Sequence, residues 1–214
     1  MKNTVFLFPA FLLMATSLRA QSASQEFYGQ KYTAVNRTLS SFDENGKKGV
    51  RFSEAGGNGV AWLTGEDFSE GTITFEARGR DVFQKSFVGV AFHGTDDRTY
   101  EAVYFRPFNF QSTDSVRKIH AVQYIFEPRY TWKVLRETRN GEFEKAILPA
   151  TVQATDWLRA KVEVKNGRIK VFVNDSKTPC LDVPTLNPDG KKGKIGLWVG
   201  DNSNGDFAKL KIKK

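Results

Sequence analysis

Residues 158–173 read Leu-Arg-Ala-Lys-Val-Glu-Val-Lys-Asn-Gly-Arg-Ile-Lys-Val-Phe-Val. Leu158, Ala160, Val162 and Val164 alternate with Arg159, Lys161, Glu163 and Lys165. Apolar residues at every second position are what a half-buried strand requires, because successive side chains leave a pleated backbone on opposite sides. Asn166-Gly167 interrupts the alternation, which resumes at Ile169, Val171 and Val173. Both interrupting residues tolerate the positive φ angles of a type I′ turn, so the stretch predicts a tight antiparallel hairpin.

The same period recurs upstream. In residues 70–78, Ile73, Phe75 and Ala77 oppose Thr72, Thr74, Glu76 and Arg78. Further strands are predicted at 31–36, 49–53, 58–63, 85–93, 99–106, 118–125, 130–136, 193–199 and 207–213, separated by turn chemistry such as Glu54-Ala55-Gly56-Gly57 and Asn187-Pro188-Asp189-Gly190. No stretch sustains a helical period. Roughly twelve short strands without helices predict an all-β, two-sheet antiparallel sandwich. The 214 residues suffice for one domain with a substantial core, expected over residues 31–214. Residues 21–30 are polar and read as a flexible lead-in.

Residues 1–20 have the three parts of a secretory signal peptide: Lys2, an apolar run from Val5 to Met14, and small residues from Ser17 to Ala20. The expected cut lies between Ala20 and Gln21, which makes the protein exported, periplasmic or extracellular. No segment reaches the roughly 18 apolar residues of a membrane-spanning helix. The net charge of +8 becomes +6 without Lys2 and Arg19. Cys180 is the only cysteine, which excludes an internal disulfide and reads as a small buried apolar residue. Two histidines and one cysteine argue against a catalytic transition-metal site. Acidic loops at Asp96-Asp97 and residues 201–206 offer oxygen ligands of the kind structural calcium takes. Nucleic acid is not an expected partner, because the C-terminal lysines alternate on an outer strand without interleaved aromatics.

The middle of the chain carries the candidate chemistry. Val88, Val90 and Phe92 share one face, which assigns His93 to the other. Tyr100, Ala102, Tyr104 and Arg106 share a face opposite Val103 and Phe105. His120, Val122 and Tyr124 alternate, with Gln123 on the other face or at a bulge. Gly196 and Gly200 flank Trp198, a pattern that clears space around an indole ring. Aromatic plates suit sugar rings, and Tyr104, Arg106, His120, Gln123, Tyr124 and Trp198 offer the directional hydrogen bonds that hydroxyl recognition needs. Each also has a purely structural reading as a packed or hydrogen-bonded sandwich residue. For proton transfer the candidates are His93 and His120, with Glu101, Asp114 or Glu127 as the carboxylate.

Blocks along residues 58–212 carry a resemblance. They include Gly59-Val60-Ala61-Trp62-Leu63, Phe87-Val88-Gly89-Val90-Ala91-Phe92, Tyr104-Phe105-Arg106-Pro107, His120-Ala121-Val122-Gln123-Tyr124 and Gly196-Leu197-Trp198-Val199-Gly200. The chain resembles the concanavalin A-like, laminin-G-like jelly-roll domains of the bacterial 3-keto-disaccharide hydrolase type. The Leu-Phe-Asn-Gly-Lys-type opening of that group is absent, as is the Glu-x-Asp-x-x-Glu motif of the sandwich glucanases. The resemblance implies an exported domain that binds or processes a saccharide and, if it is an enzyme, one that cleaves a keto-sugar glycoside. A ketone acidifies the neighbouring C–H, so one base and one electrostatic stabiliser such as Arg106 would suffice. The competing expectation is a non-catalytic laminin-G-like adhesion module that binds a protein. For compartment, residues 1–25 fused to a reporter should direct its export and be cut near Ala20; a mature protein recovered with Met1 intact would refute this.

Overall fold

A computed structural model describes residues 23–190 and 192–214. The segment read as a signal peptide lies outside the described residues. About half of the residues are in strands and 7% in helix. In chain order the strands are β1 (Gln25–Phe27), β2 (Gln30–Val35), β3 (Leu39–Glu44), β4 (Lys47–Phe52), β5 (Gly59–Phe68), β6 (Gly71–Arg78), β7 (Val88–Gly94) and β8 (Tyr100–Phe105). After a 3-10 turn (Pro107–Asn109) and helix α1 (Ser115–Lys118) come β9 (Val122–Glu127), helix α2 (Trp132–Thr138) and β10 (Glu144–Lys145). The remainder is β11 (Leu158–Lys165), β12 (Arg168–Val173), β13 (Leu181–Pro184), β14 (Gly193–Val199) and β15 (Gly205–Lys213). Two sheets face each other, in the orders β1-β2-β5-β14-β7-β8-β9-β10 and β13-β12-β11-β6-β15-β4-β3. All strand pairs are antiparallel.

The hairpin of residues 158–173 forms as its sequence demands. Val162 pairs with Val171, and Asn166 and Gly167 take φ angles of 52° and 69°. Its inward residues meet Ile73 and Phe75 of β6 and, from the facing sheet, Val90, Val103 and Leu197 in one buried core. Of residues 130–136, expected as a strand, Tyr130 bridges Phe126 but the run from Trp132 onward is instead helical. Thr131 caps α2 by accepting from the Val134 amide at 3.2 Å, and Leu135 is the residue α2 buries. Part of the expected lead-in belongs to the sheet: β1 pairs with β2 through a turn at Tyr28 and Gly29, with φ of 51° and 79°, and the Tyr28 hydroxyl donates to Phe42 O at 2.8 Å.

Two bulges reset which face a side chain takes. In the run 206–213, Phe207 has the same parity as Lys209 and Lys211, yet Phe207 and Leu210 are buried while both lysines are exposed. The pairing with β6 slips between Ala208 and Lys211, and Lys209 sits at φ 54°. One extra residue lets the strand bury Phe207 and Leu210 and keep its cations outside. A second slip, where β14 pairs with β7, leaves His93 at φ 52°, behind Phe92 rather than opposite it.

Deleting Lys209 would restore strict alternation around Phe207, Leu210 and Ile212. The deletion should therefore fold with an unfolding free energy within about 1 kcal/mol of the parent, whereas Phe207→Ala should cost about 3–5 kcal/mol. Denaturant unfolding of the two variants decides it; equal losses would show that the bulge is not simply an inserted residue.

Candidate functional site

One cross-strand row builds the floor of a groove on the first sheet. Trp198 pairs with Gly89, Gly89 with Tyr104, Tyr104 with Gln123, and Gln123 with Glu144. Residues directly opposite in a ladder share a face, so all five lie on the side away from the core. Gly89 supplies no side chain, and the Trp198 and Tyr104 rings close to 4.8 Å across it. A Cβ at Gly89 would fall 2.1 Å from Val103 O and 2.6 Å from Tyr104 Cα. Trp198 Nε1 donates to the Tyr100 hydroxyl at 3.1 Å, as does Asn58 Nδ2 at 3.3 Å.

A charged cluster closes one end of the row. Glu144 is 2% exposed, and its Oε2 lies 3.2 Å from Arg106 Nη1, 3.0 Å from Arg136 Nη2 and 2.8 Å from His120 Nδ1. The His120 contact is close but out of line for a hydrogen bond. Arg106 also donates to His120 O at 3.0 Å, to the Tyr104 hydroxyl at 2.7 Å and to Gln123 Oε1. Tyr104 donates to the same Gln123 oxygen at 2.6 Å. Burial pushes the Tyr104 phenol up to about 12, so it serves as a donor. Burial, aided by the two guanidinium groups and opposed by Glu144, lowers the His120 pKa; its imidazole is neutral at neutral pH.

The groove above has a volume of about 570 Å³. Trp132 of α2 and Phe83 of the β6–β7 loop stand on its rim, 47% and 55% exposed. Arg136 lies one turn from Trp132 with its guanidinium 5.2 Å from the ring centroid. Glu127 lines the groove opposite Tyr100; its carboxyl has no hydrogen-bond or ion-pair partner among the described residues, and burial raises its pKa.

Tyr104, Arg106, His120 and Trp198 are thus brought together on this groove, with Gln123 in the row beneath. Trp198 is not an open plate: it is 3% exposed, and a Cβ at Gly196 would strike Ala61 O at 2.2 Å, so that glycine serves strand contact rather than the ring. Tyr124 pairs with Val103 and points into the core, which reverses the expected assignment of Gln123 and Tyr124. Glu101 is fully buried there too, accepting from the Tyr124 hydroxyl, from Asn187 Nδ2 at 3.2 Å and from Thr185 Oγ1 at 3.3 Å. The bulge in β7 brings His93 to the same network, with Nδ1 2.7 Å from Glu101 and Nε2 2.6 Å from Ser69 O. Asp114 caps α1 by accepting from the Val116 amide at 2.8 Å.

Sequence reasoning misses Glu144, while Trp132 reads as a core or rim residue and stands on the rim. Glu144 lies on a two-residue strand with no periodicity to read. Trp132 had a signal, the Thr131 cap with Trp132 and Arg136 at helical spacing. The carboxylates of the acidic loops are engaged by protein donors: Asp96 by the Arg98 and Thr99 amides, Asp97 by Trp62 Nε1, Asp201 by the Gly57 amide and Asp206 by Arg51 and Arg78. No group of three metal-capable side chains occurs among the described residues. Burial raises the Cys180 pKa to about 11.

A two-sheet jelly roll with a polar, aromatic-floored groove defines the class, and the sequence assigns the family. Residues 23–213 match the 3-keto-alpha-glucoside-1,2-lyase-like domain, and the chain belongs to that family. No protein of curated function matches it in sequence. Solved structures share the fold at low identity. The carbohydrate-binding module CBM66 from Bacillus subtilis is 15% identical with a TM-score of 0.61, over 86% of this chain and 95% of that one. A Bacillus subtilis protein with a galectin-like fold is 12% identical with a TM-score of 0.54, over 85% and 88%. Domain 4 of AbnA, a GH43 extracellular arabinanase from Geobacillus stearothermophilus bound to arabinotriose, is 12% identical with a TM-score of 0.50, over 85% and 81%.

Burial works to lower the His93 pKa, but the Glu101 carboxylate outweighs it and the net shift is upward. A raised pKa contributes stability that is full below the unfolded value near 6.5 and is lost as pH rises through the folded value. The stability difference between the parent and His93→Gln should therefore shrink as pH rises above about 6.5. Thermal unfolding across pH tests this; a difference that grows with pH would refute the charged pair.

Proposed function

We propose that the groove binds a glycoside whose sugar ring carries a ketone at C3, and cleaves it by elimination, in an exported protein. One observation carries the reading: a neutral histidine, a surplus guanidinium and an unpaired carboxyl whose pKa burial raises share one aromatic-floored groove. The family description supports the substrate class. Saccharide binding is further supported by the carbohydrate-binding module and the arabinotriose-bound domain that share the fold.

The ketone at C3 acidifies the C2–H bond. His120 takes that proton through Nε2, because Nδ1 faces Glu144. The electron pair delocalises into the C3 carbonyl, and the enolate oxygen meets the guanidinium of Arg136. Arg136 suits this role because it is partly exposed and shares its only carboxylate partner among the described residues with Arg106, whose own donors are bound to Tyr104, Gln123, Glu144 and His120 O. Collapse of the enolate forms the C1=C2 bond and breaks C1–O. Glu127, which burial keeps protonated to higher pH than an ordinary carboxyl, gives its proton to the departing oxygen. Trp132 stacks on the leaving group at the rim, and Trp198 and Tyr104 form the floor under the keto sugar.

Release of the leaving alcohol and deuterium exchange at C2 should be measured with a 3-keto-glucoside. His120→Gln should lower both by about 10²–10⁴-fold. Glu127→Gln should slow release while leaving exchange, because the acid acts after proton abstraction. Binding of the glycoside without exchange would replace the enzyme with a saccharide-binding module. Absence of any binding would favour the protein-adhesion reading.

A further inference from the structure

We propose that the outer face of the second sheet is a docking surface for an acidic polysaccharide, independent of the groove on the first sheet. A cavity of about 500 Å³ crosses β6, β11, β12 and β15 there, and its cations are Arg159, Lys161, Lys177, Lys209 and Lys211. The acids are fewer. Asp175 pairs with Arg159, Glu163 with Lys161 at 2.8 Å, and Glu76 is shared between Lys209 at 2.9 Å and Lys47. Lys177 and Lys211 are exposed, and their ammonium groups have no ion-pair or hydrogen-bond partner among the described residues.

The backbone is shaped to keep this charge outward. The Lys209 bulge holds a non-glycine residue at φ 54°, an uncommon conformation for a side chain that is not Asn or Asp. Without it, burial of Phe207 would turn Lys209 and Lys211 toward the core. Like charges crowded on one face repel, and an anionic polymer relieves that repulsion along the whole cavity.

The surroundings select among polyanions. Single-stranded nucleic acid needs ring faces free for stacking, but of the two rings here Phe75 is 2% exposed, and Phe172 is 8% exposed and capped by Lys161 Nζ at 3.9 Å from its centroid. A membrane surface needs exposed apolar groups among the cations. Among the described residues the exposed large hydrophobics are Tyr28, Val82, Phe83, Val116, Ile119, Trp132 and Leu148, none of which lines this cavity. An extended chain bearing carboxylates and hydroxyls needs neither and fits spaced lysines with polar Thr74 and Ser176 between them.

Affinity electrophoresis of the full chain in native gels containing polygalacturonate tests the surface. The chain should be retarded there and not in dextran, and about 0.5 M salt should release it. Lys177→Gln/Lys211→Gln should weaken retention about fourfold or more. The charge-matched Lys31→Gln/Lys145→Gln, on the first sheet, should change it less than about twofold. His120→Gln should retain it, which separates this surface from the groove. Equal weakening by both double variants would reduce the effect to net charge and overturn the proposal. Stronger retention by DNA, or capture by anionic lipid vesicles without retention by polygalacturonate, would also overturn it.

Discussion

The groove depends on one buried carboxylate. Glu144 sits on the two-residue edge strand β10 and gathers Arg106 from the end of β8, His120 from the turn before β9, and Arg136 from α2. Three separated segments converge on it. Taking a carboxylate out of water is costly, and removing one partner of such a cluster typically costs about 3–5 kcal/mol. The cluster therefore binds an edge strand and a short helix, neither of which buries much apolar surface, to the body of the sandwich. Its charge is uneven, with two guanidinium groups for one carboxylate. That surplus, in a desolvated corner, helps keep His120 neutral and favours negative charge developing on a ligand.

The two sheets put their outer faces to different uses. The first carries the aromatic row Trp198–Gly89–Tyr104, where a single missing side chain lets two rings meet. The second carries an ionic lattice: Asp206 with Arg51 and Arg78, Glu76 with Lys47 and Lys209, and the lysine-rich cavity beyond. Between them the core holds a polar network of its own, in which Glu101 is satisfied by His93, Tyr124, Thr185 and Asn187. Its partners come from β7, β9 and the segment after β13, so it ties sheet to loop at one end of the sandwich. A buried carboxylate so fully bonded stabilises and orients, and it has no open side toward the groove.

The family and the structural neighbours separate fold from chemistry. Identities of 12–15% with TM-scores of 0.50–0.61 mean that the strand order survives with almost every side chain changed. A sandwich tolerates this because inward positions need only be apolar and fill the volume, while outward positions are free to diverge. What distinguishes this chain is therefore sought on its faces, in the Glu144 cluster, Glu127 and the Trp132 rim.

By itself the sequence determined the sandwich, because the period-two alternation of Leu158 to Val164 and Ile169 to Val173 about Asn166-Gly167 admits no other local structure with one buried face. It likewise placed Tyr104, Arg106 and Trp198 on one side of the first sheet, since parity within an unbroken strand is local. Tertiary structure alone decided the rest. The bulges at His93 and Lys209 invert parity, and a bulge is set by what the neighbouring strand and the core require. Tyr124 and Gln123 exchanged faces because the register with Val103 and Tyr104, not the pattern of residues 118–125, fixes their sides. Residues 132–138 became a helix once Leu135 had a core to enter and Arg136 had Glu144 to meet. Glu144 was invisible in the sequence, because a lone acid on a two-residue strand acquires meaning only when distant arginines fold onto it.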